Sequence, residues 1–359
     1  MEVNKNILII NPFGIGDVLF STPLIRNLRF YYPEAFIAVA VQKKVAPILE
    51  NNPNINKVIS FSRGDFKDLS RRSRLKATGL FMRTLGEIRH YKFDLCIDLS
   101  LEHRYSLVLK FLGVRKRIGF NFRNRGRFLS SRINIDGFEG KHVVEYHLEL
   151  LKLLGKEPRY HKLELYLKQD EKDWAEKALK NNGVSKDNLI IGIIPGGGAS
   201  WGRQSYLKHW PAKGFAQVAD KLAEACRAKI IVFSGASDRE IGADVIQKMN
   251  QPVIDMAART DLRQLAALIS RCNLIITNDG GPLHLAVALG IKSISLFGPV
   301  DERVYGPYSP GPDFIVLKKD FDCHPCYRKF RVPECGYQLR CLTAISVEEV
   351  FRQAEGLLK

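Results

Sequence analysis

Short apolar runs of strand character alternate with helical patterns along this chain, and that alternation restricts its fold more than any other feature. The runs are Ile7 to Asn11, Phe36 to Val41, Lys57 to Phe61, Asp94 to Leu99, Leu189 to Ile194, Ile230 to Phe233, Leu274 to Thr277 and Ser293 to Phe297. Between them lie segments such as Phe215 to Cys226 and Leu262 to Ile269, with apolar residues at three-and-four spacing and charges interspersed. The alternation predicts an α/β fold of parallel sheets covered by helices. Burial of each strand on both faces explains why the runs are continuously apolar.

The pattern starts twice. From about Leu165 to Asn188 it gives way to a polar helical stretch, and LIIGIIPGGG then opens a strand and glycine-rich turn much as ILIINPFGIGD does from residue 7. A boundary near residue 165 therefore predicts two doubly wound Rossmann-like domains, 1–165 and 166–359, with the last helix able to pack back on the first. The 359 residues suit two domains of roughly 150 residues or a little more. Open α/β sheets bind ligands at the C-terminal ends of their strands, so a cleft lined by two such edges is the expected active site.

Composition closes off other classes. Hydrophobic residues at 45% and charged residues at 26% are ordinary globular usage, which excludes fibrous and low-complexity chains. No window approaches the roughly 18 consecutive apolar residues of a membrane-spanning helix. The segment MEVNKNILIIN leads into a strand without a basic region or long apolar core of a signal peptide, so a cytoplasmic protein is expected.

The net charge of +17 is unevenly placed: the first 160 residues hold 28 basic and 15 acidic residues, a net +13. Such a field favours an anionic partner, whether nucleic acid, an acidic membrane surface or a phosphorylated substrate, or it serves only as a solubilising face. No interleaved aromatic platform accompanies it, so nucleic acid is not the expected partner. Residues 63–92 concentrate eight Lys and Arg from Arg63 to Arg89 with Phe66, Leu69, Leu80, Phe81 and Leu85 between, suiting an interfacial helix, an anion-binding surface or a solvated insertion. A second basic stretch runs from Arg115 to Arg132.

Four loops at strand ends carry candidate chemistry. Asn11-Pro12-Phe13-Gly14-Ile15-Gly16-Asp17 lacks the third glycine of a dinucleotide fingerprint, having Leu19 there, and its carboxylate opposes phosphate binding. Asp17 suits a general base beside a hydroxyl, or a plain helix cap. Asn278-Asp279-Gly280-Gly281-Pro282-Leu283-His284 offers two glycines for close backbone approach and a Pro suited to a first helical turn. Unsatisfied N–H groups there make an anion site, to which His284 could donate a hydrogen bond. Pro195-Gly196-Gly197-Gly198-Ala199-Ser200-Trp201-Gly202 is followed by Lys208-His209-Trp210-Pro211, where Lys208 could reach a diphosphate, though spacing alone favours a surface lysine. Gly235-Ala236-Ser237-Asp238-Arg239-Glu240 offers a carboxylate for ribose hydroxyls, or a helix cap.

These residues carry a resemblance. The set NPFGIGDVLFSTPLIRNLR, RIGF, HVVEYHLELLKLLG, PGGG through KHWP, ITNDGGPLHLAVALG and LFGP resembles glycosyltransferase family 9, the ADP-heptose:lipopolysaccharide heptosyltransferases, nearly end to end. The resemblance implies the GT-B architecture of two facing Rossmann-like domains, acceptor-binding first and donor-binding second. It also implies an inverting transfer that requires no metal cofactor, with ADP-heptose as donor. Asp17 would take the acceptor proton and Lys208 would hold the donor diphosphate, with Asp279, Gly280, Gly281 and His284 as the donor-phosphate loop. Gly280 stands where the family usually has Thr or Ser, so one hydroxyl contact must come from backbone. Glu240, with Asp238 as rival, falls where the ribose acid is expected, and Thr260 near the nucleobase. The acceptor would be the anionic lipopolysaccharide core at the inner membrane face, with the enzyme peripheral there and Gly14, Gly16, Arg71, Arg72, Arg74 and Arg123 as candidate contacts.

Cys96, Cys226 and Cys272 sit singly in strand or helix patterns as small buried hydrophobes. Cys323, Cys326, Cys335 and Cys341 cluster as C-x2-C-x8-C-x5-C around His324, so a structural metal, disulfides or free thiols all fit, with free thiols favoured. Two rivals to heptosyl transfer stay open: a GT-B transferase of another nucleotide sugar to a different cell-surface glycan, and a non-catalytic protein binding nucleotides or anionic glycans.

Overall fold

The computed structural model describes residues 5–61, 85–197, 199–308 and 311–359. The basic residues Arg71, Arg72 and Arg74 lie outside the described residues. The chain divides into two compact units, Met1–Phe138 with Val143–His161, and Glu139–His142 with Lys162–Lys359.

The first unit is a six-stranded parallel sheet in the order β3-β2-β1-β4-β5-β6. Its strands are β1 Asn6–Asn11, β2 Phe36–Gln42, β3 Lys57–Phe61, β4 Leu95–Asp98, β5 Lys116–Phe122 and β6 Ser131–Ile135. On one face Leu8, Ile10, Ala38, Ala40, Ile59 and Cys96 form a core with Leu109 and Val114. Ile7 and Ile9, pointing the other way, are equally buried. This double burial removes the period-two alternation from β1. Buried Asn27, in the helix Thr22–Tyr31, donates to the Tyr160 carbonyl (2.7 Å) and accepts from the Arg159 N–H (2.7 Å), tying the returning segment to this unit.

The second unit repeats the plan in the order β12-β11-β10-β7-β8-β9, again parallel throughout. Its strands are β7 Ile190–Ile194, β8 Lys229–Ser234, β9 Val253–Ala257, β10 Leu274–Asn278, β11 Ser293–Leu296 and β12 Phe314–Leu317. Counted from its own first strand, each sheet runs outward for three strands and then returns to the centre. The reversal falls between β1 and β4 in one unit and between β7 and β10 in the other, and such a switch point opens a crevice at the strand ends. In the last helix, Val347–Leu358, buried Val350, Ala354 and Leu357 belong to the second unit's core with Phe215, Val218 and Leu222.

Four strands, β5, β6, β9 and β12, escape the sequence reading, and all lie toward sheet edges. In β6 half-buried and exposed residues alternate, and β12 has three half-buried residues before one buried residue. A strand solvated on one side needs no continuous apolar run, so it gives no such signal. Among the described residues no helix is long and apolar enough to cross a membrane.

Candidate active site

In the second unit the sequence brings three loops together at the ends of β7, β8 and β10. Gly192 in β7 is packed so closely that a Cβ there would meet Ile275 Cδ1 at 2.6 Å, which keeps β7 and β10 tight. Where β10 ends, buried Asn278 staples two loops: its Nδ2 donates to the Pro195 carbonyl (2.6 Å) and its Oδ1 accepts from the Trp210 N–H (3.0 Å). His209 donates from Nε2 to the Gly197 carbonyl (2.8 Å). Gly197 has φ of 149°, and a Cβ there would crowd the Asp279 carbonyl oxygen at 3.1 Å. The glycine thus lets one loop lie on the backbone of the other.

These constraints set Lys208. Its Nζ donates to Asp279 Oδ2 at 2.6 Å, with side chains 10% and 5% exposed. Spacing alone suggested a surface lysine, and the structure corrects this: Asn278 draws the neighbouring Trp210 inward, and the turn Ala199–Lys208 follows. Pairing offsets much of the cost of burying an ammonium. Asp279 precedes Gly280, the N-cap of the helix Gly281–Leu289, whose first turn carries a Pro. His284 is buried in that helix, and burial, helped by His142 and Lys208, lowers its pKa to about 3. It is therefore a neutral imidazole at physiological pH, able to donate one hydrogen bond without carrying charge.

Of the two carboxylates after β8, half-buried Asp238 lies against the glycine-rich loop, where a Cβ on Gly196 would meet its Oδ2 at 2.6 Å. Glu240 is exposed in the first turn of the helix Arg239–Lys248. Thr260 is half-buried just before Asp261, which caps the helix Leu262–Ile269 by accepting from the Gln264 N–H (2.8 Å). The same unit holds His142, whose Nε2 donates to the Gly306 carbonyl (3.0 Å) and whose ring lies 4.6 Å from that of Tyr308. His142 stands at the start of the quoted run HVVEYH, yet nothing in its spacing marks it as a neighbour of residue 284.

In the first unit Gly14 is the N-cap of the helix Ile15–Phe20, Gly16 lies in its first turn, and Asp17 Oδ2 accepts from the Gly14 N–H (3.2 Å). Asp17, the third residue of that helix, thus reaches back to its N-cap from within the first turn, just beyond the loop that follows β1. Buried Asn11 fixes that loop by donating to the Asp17 carbonyl (2.8 Å). Exposed Arg123 follows β5 at the same sheet edge, its guanidinium 4.8 Å from the Phe122 ring. Sequence reading missed Asp98, the last residue of β4, which is 4% exposed and accepts from the Ser100 N–H (2.9 Å). Burial raises its pKa to about 6 against the pull of Ser100.

The seven cysteines are free thiols. Cys323 and Cys335 are exposed, Cys326 and Cys341 half-buried. Burial chiefly, then the neighbouring cysteines, raises Cys341 to about 11. Among the described residues no three His, Cys, Asp or Glu side chains are gathered so that they could hold a metal ion.

The profile of glycosyltransferase family 9 (heptosyltransferase) matches residues 81–335. The chain belongs to this family. As a family 9 glycosyltransferase it is similar to lipopolysaccharide heptosyltransferase 2 of Escherichia coli K12, 27% identical over 364 residues covering 98% of each chain. It is also similar to the crystal structure of the glycosyl transferase family 9 from Veillonella parvula, with 26% identity, a TM-score of 0.82, and coverage of 100% of this chain and 98% of that one. The fold is shared with E. coli ADP-heptose lps heptosyltransferase II, at a TM-score of 0.77, 23% identity and 98% coverage of each chain. The α/β fold of this glycosyltransferase is therefore of the GT-B heptosyltransferase type.

Proposed function

We propose that this glycosyltransferase transfers heptose from ADP-heptose to the inner core of lipopolysaccharide, inverting the anomeric centre. The observation that carries the reading is the buried Lys208–Asp279 pair at the β7–β10 switch point, beside two glycine-rich turns and the N-terminus of the helix Gly281–Leu289. A cation, bare N–H groups and a neutral imidazole in one crevice suit a nucleoside diphosphate. Of the relatives named above, the two from Escherichia coli are lipopolysaccharide heptosyltransferases, which supports heptose and this acceptor.

In the proposed reaction the acceptor oxygen attacks the anomeric carbon while Asp17 takes its proton. The bond from that carbon to the diphosphate breaks, and its electron pair leaves on the ADP oxygen. Lys208, the N–H groups of Gly280 and Gly281, and His284 stabilise the departing charge, with no metal ion required. Asp238 and Glu240 compete for the ribose, and contact with the Gly196 loop favours Asp238. Thr260 would approach the base. The acceptor would meet Gly14, Gly16 and Arg123, together with Arg71, Arg72 and Arg74. The net +13 of the first 160 residues suits an anionic acceptor and a peripheral position on the inner membrane. Such binding should weaken with salt, because exposed charges are screened over about 10 Å at 0.1 M.

The test is ADP release from ADP-heptose with deacylated lipopolysaccharide core as acceptor, with UDP- and GDP-sugars in parallel. Acceptor-dependent ADP release that is slowed about 100- to 1,000-fold in Lys208→Ala is expected. Release from another donor alone would keep the fold and chemistry but reject heptose. Nucleotide binding without release from any donor would favour a non-catalytic binding protein.

A further inference from the structure

None of the roles assigned above uses the aromatic rings around Lys208. Its ammonium has a second neighbour besides Asp279: the Trp201 ring, whose centroid lies 4.3 Å from Nζ. The indole is backed by Tyr327, with ring centroids 4.8 Å apart and planes 30° from parallel. Tyr327 meets Tyr305 edge-on at 5.8 Å, and its own N–H donates to the Pro299 carbonyl (2.9 Å). Three rings from the turn Ala199–Lys208, the short helix Glu302–Tyr305 and the cysteine-rich stretch therefore line up behind one ammonium. Centroid spacings of this size lie within the favourable range for aromatic pairs.

The arrangement meets a difficulty in the donor reading. Lys208 is already paired with Asp279, so a diphosphate must draw the ammonium toward itself and weaken that pair. A lysine stem is flexible and its ammonium is a point charge without directional preorganisation. An indole face attracts a cation through its quadrupole and accepts no hydrogen bond in the plane of the exchange, so it can hold the ammonium throughout. We propose that Trp201 is a positioning residue for the donor diphosphate, keeping the Lys208 ammonium in place while it exchanges Asp279 for phosphate oxygens, and that Tyr327 backs the indole. This rests on the assignment of Lys208 to the diphosphate.

The experiment is calorimetric ADP affinity of the full chain and its variants Trp201→Leu, Trp201→Phe, Tyr327→Ala, Lys208→Ala and the double variant W201L/K208A. Leucine keeps apolar bulk without a π face, so W201L is expected to weaken ADP about tenfold, whereas W201F, retaining a face, loses about two- to threefold. Y327A, which leaves the indole in place, is expected to lose about threefold. Because Trp201 acts through Lys208, W201L should change affinity less than about twofold in the K208A background. Wild-type affinity in W201L, or an undiminished loss on top of K208A, would overturn the bracket while leaving Lys208 assigned. Wild-type affinity in K208A would overturn the assignment of Lys208, and the bracket with it.

Discussion

The two sheets follow one plan and differ in what stands at the ends of their central strands. In the second unit the carboxylate after β10, Asp279, faces a buried lysine delivered by the loop after β7. At the matching place in the first unit Asp98 ends β4, held by the Ser100 N–H and, among the described residues, in no ion pair, while the loop after β1 delivers another carboxylate, Asp17. Equal topology makes equal crevices; charge decides what each can hold. A crevice with a lysine and bare N–H groups suits a diphosphate, whereas one with carboxylates suits a hydroxyl that must lose its proton.

This division of labour predicts two different kinetic faults. Asp17→Ala should lower turnover by about 100- to 10,000-fold, the usual contribution of a positioned general base, and leave ADP affinity within about twofold. Lys208→Ala should damage both turnover and ADP affinity. Steady-state kinetics beside calorimetry separate the two, and a D17A variant that loses ADP affinity would break the comparison. The Lys208–Asp279 pair also predicts a stability effect. Asp279→Ala leaves a buried ammonium uncompensated and should cost about 3–5 kcal/mol in urea unfolding, whereas K208M/D279A should regain most of that stability without regaining turnover.

Much of this frame was legible in the sequence because its central strands are buried on both faces. β1, β7 and β10 announce themselves as apolar runs, and the glycine-rich turns that follow them are visible as residues. Edge strands such as β6, half solvated, carry no such run. The site was legible where backbone chemistry dictates residue type, as at Gly197 and Gly280. It was hidden where distant segments meet: the burial of Lys208 depends on Asn278, some 70 positions away, and the bracket on Tyr327, further still. Asp98 escaped notice because a carboxylate closing a strand reads as an ordinary turn residue, and only its 4% exposure distinguishes it.

That exposure supplies the smallest effect and the finest test of the comparison. Burial raises Asp98 from 3.8 to about 6, so between those values the folded chain keeps a proton that the unfolded chain has released. Stability contributed by Asp98 is thus full below about pH 4, falls as pH rises through the window, and is lost above about 6. His284, lowered from 6.5 to about 3, acts in the opposite sense: its neutral burial stabilises above pH 6.5 and loses that contribution as pH falls toward 3. The two slopes oppose each other in the wild type, so the wild-type pH profile alone is uninformative. Asp98→Asn keeps an oxygen for the Ser100 N–H but cannot ionise, and the His284 contribution cancels in its difference from wild type. That difference should be near zero at pH 4 and reach about 1–3 kcal/mol in favour of the variant at pH 7, as two pKa units at about 1.4 kcal/mol each allow. A difference that does not grow across the window would mean that Asp98 is compensated in the folded chain, and the contrast drawn between the two strand ends would fall.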